Sequence, residues 1–413
     1  MSIFRLLFVS LISFLVGCVA YQDRPISPAE MALSFEARTL NNPVLRSFLE
    51  KNSGTNFSIW PLRSWDFSTL TLVAFYYHPS LDVARAQWAV SNAGETTAKA
   101  RPNPTVSVSP EYNFNAASGV SPWIAGLNFD LPIETAGKRG YRMAQAKHLS
   151  EAARLNIGTV AWQVRKNLRD SLVDFGVGTE KESLLKKQRD TQTKIVGILE
   201  QQLKAGAIAP IEISTVRLAL NKIQIDLGLA HSQSVEARSR VAEAMGLPSA
   251  AIAGIDFNSA PATASDLFSP EVRRQALQNR SDILSSLAEY AASQSALQLE
   301  IAKQYPDVHL GTGYQFDQGE NKWALVGLSL ELPVLNRNQG GIAEAKARRE
   351  EAVAKFTALQ AKVMAEVDRA LAGYEAAQEQ LKLSKSLLET QHQREQSIEA
   401  QFKAGSIERM ELL

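Results

Sequence analysis

The chain of 413 residues has one cysteine, Cys18, so no disulfide can form within it. Its five histidines, at positions 78, 148, 231, 309 and 392, are scattered, and none lies three or four residues from another. That spacing excludes the histidine pair that one helix face presents to zinc. No H-E-x-x-H, G-x-x-x-x-G-K-[ST], G-x-S-x-G or G-x-G-x-x-G occurs, so the motifs of metalloproteases, phosphate-cradling loops, nucleophile elbows and dinucleotide sites are all missing. The chain is therefore read as a non-enzyme that needs no cofactor or metal. Charge of one sign is missing too: 44 Lys and Arg face 43 Asp and Glu, which leaves no basic field for nucleic acid. Proline is absent from Lys138 to Ala205.

The N-terminus carries a short positive segment ending at Arg5 and an apolar stretch of 11 residues, Leu6 to Val16. That is too short to cross a bilayer as a helix and reads as a secretion signal over residues 1–17. Leu15-Val16-Gly17-Cys18 matches the bacterial lipobox. Acyl chains on Cys18 would hold the mature chain at a membrane, each buried methylene contributing about 0.8 kcal/mol. The alternative is an ordinary signal peptide followed by an incidental cysteine. Val19, where aspartate would be the retention signal, favours the outer membrane.

The chain is written twice. Ala100-Arg-Pro-Asn-Pro104 aligns with Ala302-Lys-Gln-Tyr-Pro306, Gly126–Pro132 (GLNFDLP) with Gly327–Pro333 (GLSLELP), and Ala144–Lys147 with Ala343–Lys346. LKAGAIAPIEI at 203–213 returns as FKAGSIERMEL at 402–412. Each copy contains a helical stretch, two alternating runs bounded by prolines, and a very long helical stretch. The expected division is a linker over 18–65, a first repeat over 66–265 and a second over 266–413. The first repeat should hold strands 105–115 and 122–132, a long helix 138–205 and a helix 211–246. The second should hold strands 307–316 and 323–332 and a long helix 339–404, truncated after its turn relative to the first.

The alternating runs have period two, hence one apolar and one polar face. Val106, Val108, Pro110, Tyr112 and Phe114 form one apolar row; Trp123, Ala125, Leu127, Phe129 and Leu131 form the next. Val308, Leu310, Thr312, Tyr314 and Phe316 follow, then Ala324, Val326, Leu328, Leu330 and Leu332. Runs of this length suit tilted strands in a bilayer or the strands of a soluble sandwich. Aromatics near the ends (Phe114, Trp123, Phe316 and Trp323) suit membrane interfaces. Four strands cannot close a membrane barrel, whose smallest forms have about eight, so a spanning reading requires several chains.

In the last long helix, Ala352, Phe356, Leu359, Val363, Val367, Ala370, Tyr374, Ala377 and Leu381 form an apolar stripe that continues through Leu388, Ile398 and Phe402. Its mean period marks a nearly straight coiled-coil seam. Gly206 and Gly405 suit the left-handed residue that ends a helix, and Pro210 suits the first turn of the next. The cluster Lys138-Arg139-Gly140-Tyr141-Arg142 is expected to form a solvated turn.

The duplicated plan, Asn103-Pro-Thr-Val-Ser107, Leu131-Pro-Ile-Glu-Thr-Ala-Gly-Lys-Arg139 and the paired glycine turns resemble the TolC-like outer-membrane efflux factors, specifically their lipoprotein, cation-efflux branch. The resemblance covers about 70–413. It implies a mainly α fold in which four strands per chain join a trimeric twelve-stranded barrel above a periplasmic helical tunnel. It implies a homotrimer working with a periplasmic adaptor and an inner-membrane pump of the RND class, in a lipid outer membrane. It places Gly206, Ala207, Ile208, Gly405, Ser406 and Ile407 at the adaptor contact, and Glu411, with its repeat partner Glu212, at an acidic aperture. An ordinary helix-start role for these glutamates stays open. The alternative function is a periplasmic coiled-coil lipoprotein serving as scaffold or adaptor, or a truncated paralogue.

Overall fold

A computed structural model describes residues 19–258 and 270–406. The chain is mainly helical, with a four-stranded antiparallel sheet at one end of the helices and a hairpin tip at the other. The first half runs α1 (Pro28–Glu36), α2 (Pro43–Ser53), β1 (Ser64–Asp66), α3 (Phe67–Tyr77), α4 (Pro79–Lys99), β2 (Thr105–Tyr112), β3 (Trp123–Ile133), α5 (Lys138–Lys204), α6 (Pro210–Met245) and β4 (Asp256–Asn258). The second half runs α7 (Pro270–Asn279), α8 (Ser281–Ala302), β5 (Val308–Asp317), β6 (Glu320–Leu330) and α9 (Gln339–Lys403).

The helical stretch before each strand pair is two helices rather than one. Pro79 lacks an N–H and pushes His78 into extended backbone (ψ 120°), which separates α3 from α4. Arg280, also extended (ψ 132°), separates α7 from α8.

The main core gathers around the middle of α5. Val164, Leu168 and Leu172 recur every four residues on one face and meet Leu70, Val73 and Ala74 of α3 and Val241 and Met245 of α6. Residues 19–65, expected as a linker, are folded in large part: α2 buries Leu45 and Leu49 completely in this core, beside Leu40 and Trp65. The sequence between the two repeats returns to the same place, where β4 pairs parallel with β1.

The helix α5 is 67 residues long, about 100 Å at 1.5 Å per residue. It pairs antiparallel with α6 through Val196, Leu199, Ile213 and Ile223. The stripe on α9 behaves differently. Val363 is fully buried, but Leu381 and Leu388 are 55% and 58% exposed. The reason is length: α9 packs on α8, which has 22 residues against 65. It also packs on the shorter α7, and beyond the reach of both, around Leu381 and Leu388, the stripe lies open.

Candidate functional site

The sheet has the order β2-β3-β5-β6, all antiparallel. Val106, Phe129 and Thr312 lie in register, as do Val108, Leu127 and Tyr314, so the apolar rows coincide on one face. Among the described residues no layer covers that face: Val106 is 64% exposed, Val108 67%, Leu328 64%. At the end remote from the helices, Tyr112 meets Trp123 and Phe114 at 5.1 Å, and Tyr314 meets Trp323 at 4.7 Å.

One row differs from its sequence pattern. Gly311 pairs with Gly327, but Gly313 pairs with Ala324, so β6 carries one extra residue there. Such a bulge exchanges the two faces beyond it. Leu328 and Leu330 remain on the apolar face, while Ala324 moves to the polar side and Trp323 joins Tyr314. Strict alternation could not reveal the slip, because the segment Trp323–Val326 is apolar at every position. The opposite face carries Ser107, Asn128, Asp130 and His309, with His309 Nδ1 2.9 Å from Asp130 Oδ2.

Where sheet meets helices, the cluster read as a solvated turn is a set of ties. Lys138 is only 8% exposed. Its ammonium donates to the Tyr305 carbonyl (2.7 Å) and to Asp307 Oδ1 (2.8 Å), which also accepts from the Thr135 N–H. Arg139 donates to the Lys99 carbonyl, and Arg142 to the carbonyls of Ala98 and Ala100 and to both oxygens of Glu134. The hydrogen bond to Glu134 raises the Arg142 pKa above its already high ordinary value. These arginines satisfy carbonyls left open at the end of α4. In the second repeat Asn338 does this for the Glu300 carbonyl at 2.8 Å. Only tertiary structure shows this role, because the capped carbonyls lie about forty residues away in the chain.

At the opposite end the two KAG phrases take one geometry. Gly206 (φ 75°) receives a Schellman cap, with Ala207 N–H to Gln202 O at 2.9 Å. Gly405 (φ 71°) repeats it, with Ser406 N–H to Gln401 O at 3.0 Å. Ala207 is exposed and Ile208 half-buried at the turn. Glu212 reaches back to accept from the Ala209 N–H at 3.2 Å, which is a helix-start role. The expected lipidation residue Cys18 and the expected tip and aperture residues Ile407 and Glu411 lie outside the described residues. Among the described residues no helix is long and apolar enough to cross a membrane, and no cluster of three or more acidic, histidine or cysteine side chains is arranged for a metal.

The pattern of the outer membrane efflux protein family matches residues 75–247 and 272–413, which includes both copies of the helix–sheet–helix unit. The chain belongs to that family. The family is one of efflux proteins, which accords with the absence of enzyme motifs, and it places the chain in the outer membrane. The cobalt-zinc-cadmium resistance protein CzcC of Cupriavidus metallidurans is 25% identical over 235 residues, 55% of this chain and 54% of that protein. The chain thus matches about half the length of this curated relative. Among solved structures, the outer-membrane channel OprN superposes with a TM-score of 0.71 at 18% identity, covering 96% of this chain and 91% of OprN. VceC of Vibrio cholerae gives 0.69 at 18% identity over 84% and 88%. CusC gives 0.65 at 17% identity over 87% of each. At these identities the likeness shows a shared TolC-like fold.

Proposed function

We propose that the chain is one subunit of a passive trimeric duct that carries small molecules or metal cations through the outer membrane. The observation that carries this is the sheet. Its apolar face has no cover and its edge strands β2 and β6 have no neighbour among the described residues. Water does not tolerate such a surface, whereas lipid on one side and further strands at each edge satisfy it. Four strands from each of three copies would give twelve, above the minimum of about eight. Helices support the same assembly. Ile211, Leu218 and Ile225 form an outward stripe on α6, each at least 65% exposed, and Leu381 and Leu388 on the α9 stripe are also more than half exposed. Neighbouring copies would supply the missing sides of both seams.

In this reading the tips at 206–208 and 405–407 meet a periplasmic adaptor fed by an inner-membrane pump of the RND class. Glu411 and Glu212 narrow the aperture with negative charge, which favours cations, and an acyl chain on Cys18 anchors the mature N-terminus. The name of the relative CzcC supports metal cations as cargo. The test is heat-modifiable migration of an outer-membrane fraction, with crosslinking to trimers. A soluble monomer released by Cys18→Ala would overturn the channel reading in favour of a periplasmic scaffold or adaptor.

A further inference from the structure

Trp162, Arg165 and Arg169 of α5 form a ladder with the half-buried Phe67 of α3 that the proposed duct does not use. The Arg165 guanidinium lies 4.9 Å from the Trp162 ring centre and 5.2 Å from that of Phe67; the Arg169 guanidinium lies 4.8 Å from Phe67. Trp162, Arg165 and Arg169 follow at steps of three and four, so they share one face of α5. A guanidinium held over a ring keeps its N–H donors available for a second partner. Other polar neighbours pair among themselves, Lys166 with Asp170 at 2.6 Å and Gln163 with Asn167 at 2.7 Å. Among the described residues no carboxylate oxygen lies within 4.0 Å of either arginine. Trp162 is 62% exposed.

Two guanidinium groups with no ion-pair partner among the described residues, beside an exposed indole, call for a ligand that offers both carboxylates and flat C–H-rich faces. Guanidinium pairs carboxylate in bidentate fashion, and the apolar face of a pyranose ring stacks on indole. The strip is narrow, about 10 Å along one helix. A protein partner would need about 800 Å² from each side, but an extended polymer needs only a strip. We propose that Trp162, Arg165 and Arg169 bind the carboxylate-bearing glycan of the bacterial cell wall. This rests on the proposed duct, since a channel spanning the periplasm must pass through that layer.

The test is co-sedimentation of the detergent-solubilised full chain with purified cell-wall sacculi, using chitin as an uncharged glycan. The wild type should pellet with sacculi, release as salt rises, and bind chitin weakly. Arg165→Gln/Arg169→Gln and, separately, Trp162→Ala should each weaken binding at least about tenfold, equivalent to about 1.4 kcal/mol. Arg165→Lys/Arg169→Lys should restore little, because an ammonium lacks the planar fork. All variants should keep the wild-type circular dichroism melt and crosslinked oligomer. No binding of wild type to sacculi, equal binding to chitin, or unaltered binding by the variants would overturn the proposal. Loss of the oligomer in the variants would also overturn it and assign the strip to contact between copies. Retained heat-modifiable oligomers in the outer-membrane fraction, with no sacculus binding, would leave the duct standing and remove only this inference.

Discussion

Lys138 reaches Asp307 at 2.8 Å, a bond between residues 169 apart that ties the start of α5 to the start of β5. Because the two halves carry equivalent sheet hairpins, this bond fixes how one copy sits against the other. Lys138→Met leaves Asp307 and the Tyr305 carbonyl without their donor. The expected cost is about 2 kcal/mol, below that of a fully buried pair because the Asp307 side chain is 36% exposed. Denaturant unfolding of the single and double variants should give a coupling with Asp307→Ala of about 1 kcal/mol.

Gly246 and Gly206 share a backbone conformation, with φ 71° and 75°, but differ in surroundings. A Cβ on Gly246 would stand 2.7 Å from the Tyr77 carbonyl oxygen and 2.9 Å from His78 Cα; one on Gly206 would meet nothing within 4 Å. Gly206→Ala should therefore cost about 1 kcal/mol, the price of left-handed backbone alone. Gly246→Ala should cost more than about 2 kcal/mol, because backbone atoms must move. Equal thermal midpoints for the two variants would contradict this.

Arg38 donates to the carbonyls of Tyr77 and Gly246, each at 2.9 Å, so one guanidinium closes the ends of α3 and α6. Arg38→Ala should loosen the N-terminal segment from the core without disturbing the α5–α6 hairpin. Limited proteolysis should then cut near residues 30–40 several times faster, with Arg38→Lys intermediate.

Arg280 binds Asp282 at 2.7 Å and Glu366 at 2.9 Å, joining α8 to α9. Burial pushes the Asp282 pKa up, but hydrogen bonding and charge from Arg280 outweigh it and hold the group below the ordinary carboxylate value. A lowered folded pKa contributes stability above the unfolded value of about 3.9, and that stability is lost as pH falls through the folded value. Arg280→Ala should lose about 1 kcal/mol at pH 7, discounted for partial exposure. The gap from wild type should shrink as pH falls below about 3.9. Circular dichroism melts across that range would refute this if the gap stayed constant.

The sequence made the long helices, the strand pairs and the tip turns legible, because each depends on local periodicity or on a glycine at a helix end. It concealed the core position of Leu45 and Leu49 in residues read as a linker, since this short helix of 11 residues lies outside the duplicated segments on which that division rested. The faces of β6 also escaped it, because a bulge changes parity without a residue that marks it. Lys138 and Arg142 looked like solvated charges, and only the fold brings the carbonyls they serve within reach.

The length of α5 has a mechanical consequence. From Leu168 in the core to Lys204 at the tip is 36 residues, about 54 Å of straight helix. The hairpin is a lever pivoted at that core. A rotation of about 5° there would swing the tip by about 5 Å, so a small repacking around Leu168 and Met245 would be delivered to the far end as a displacement wider than a side chain.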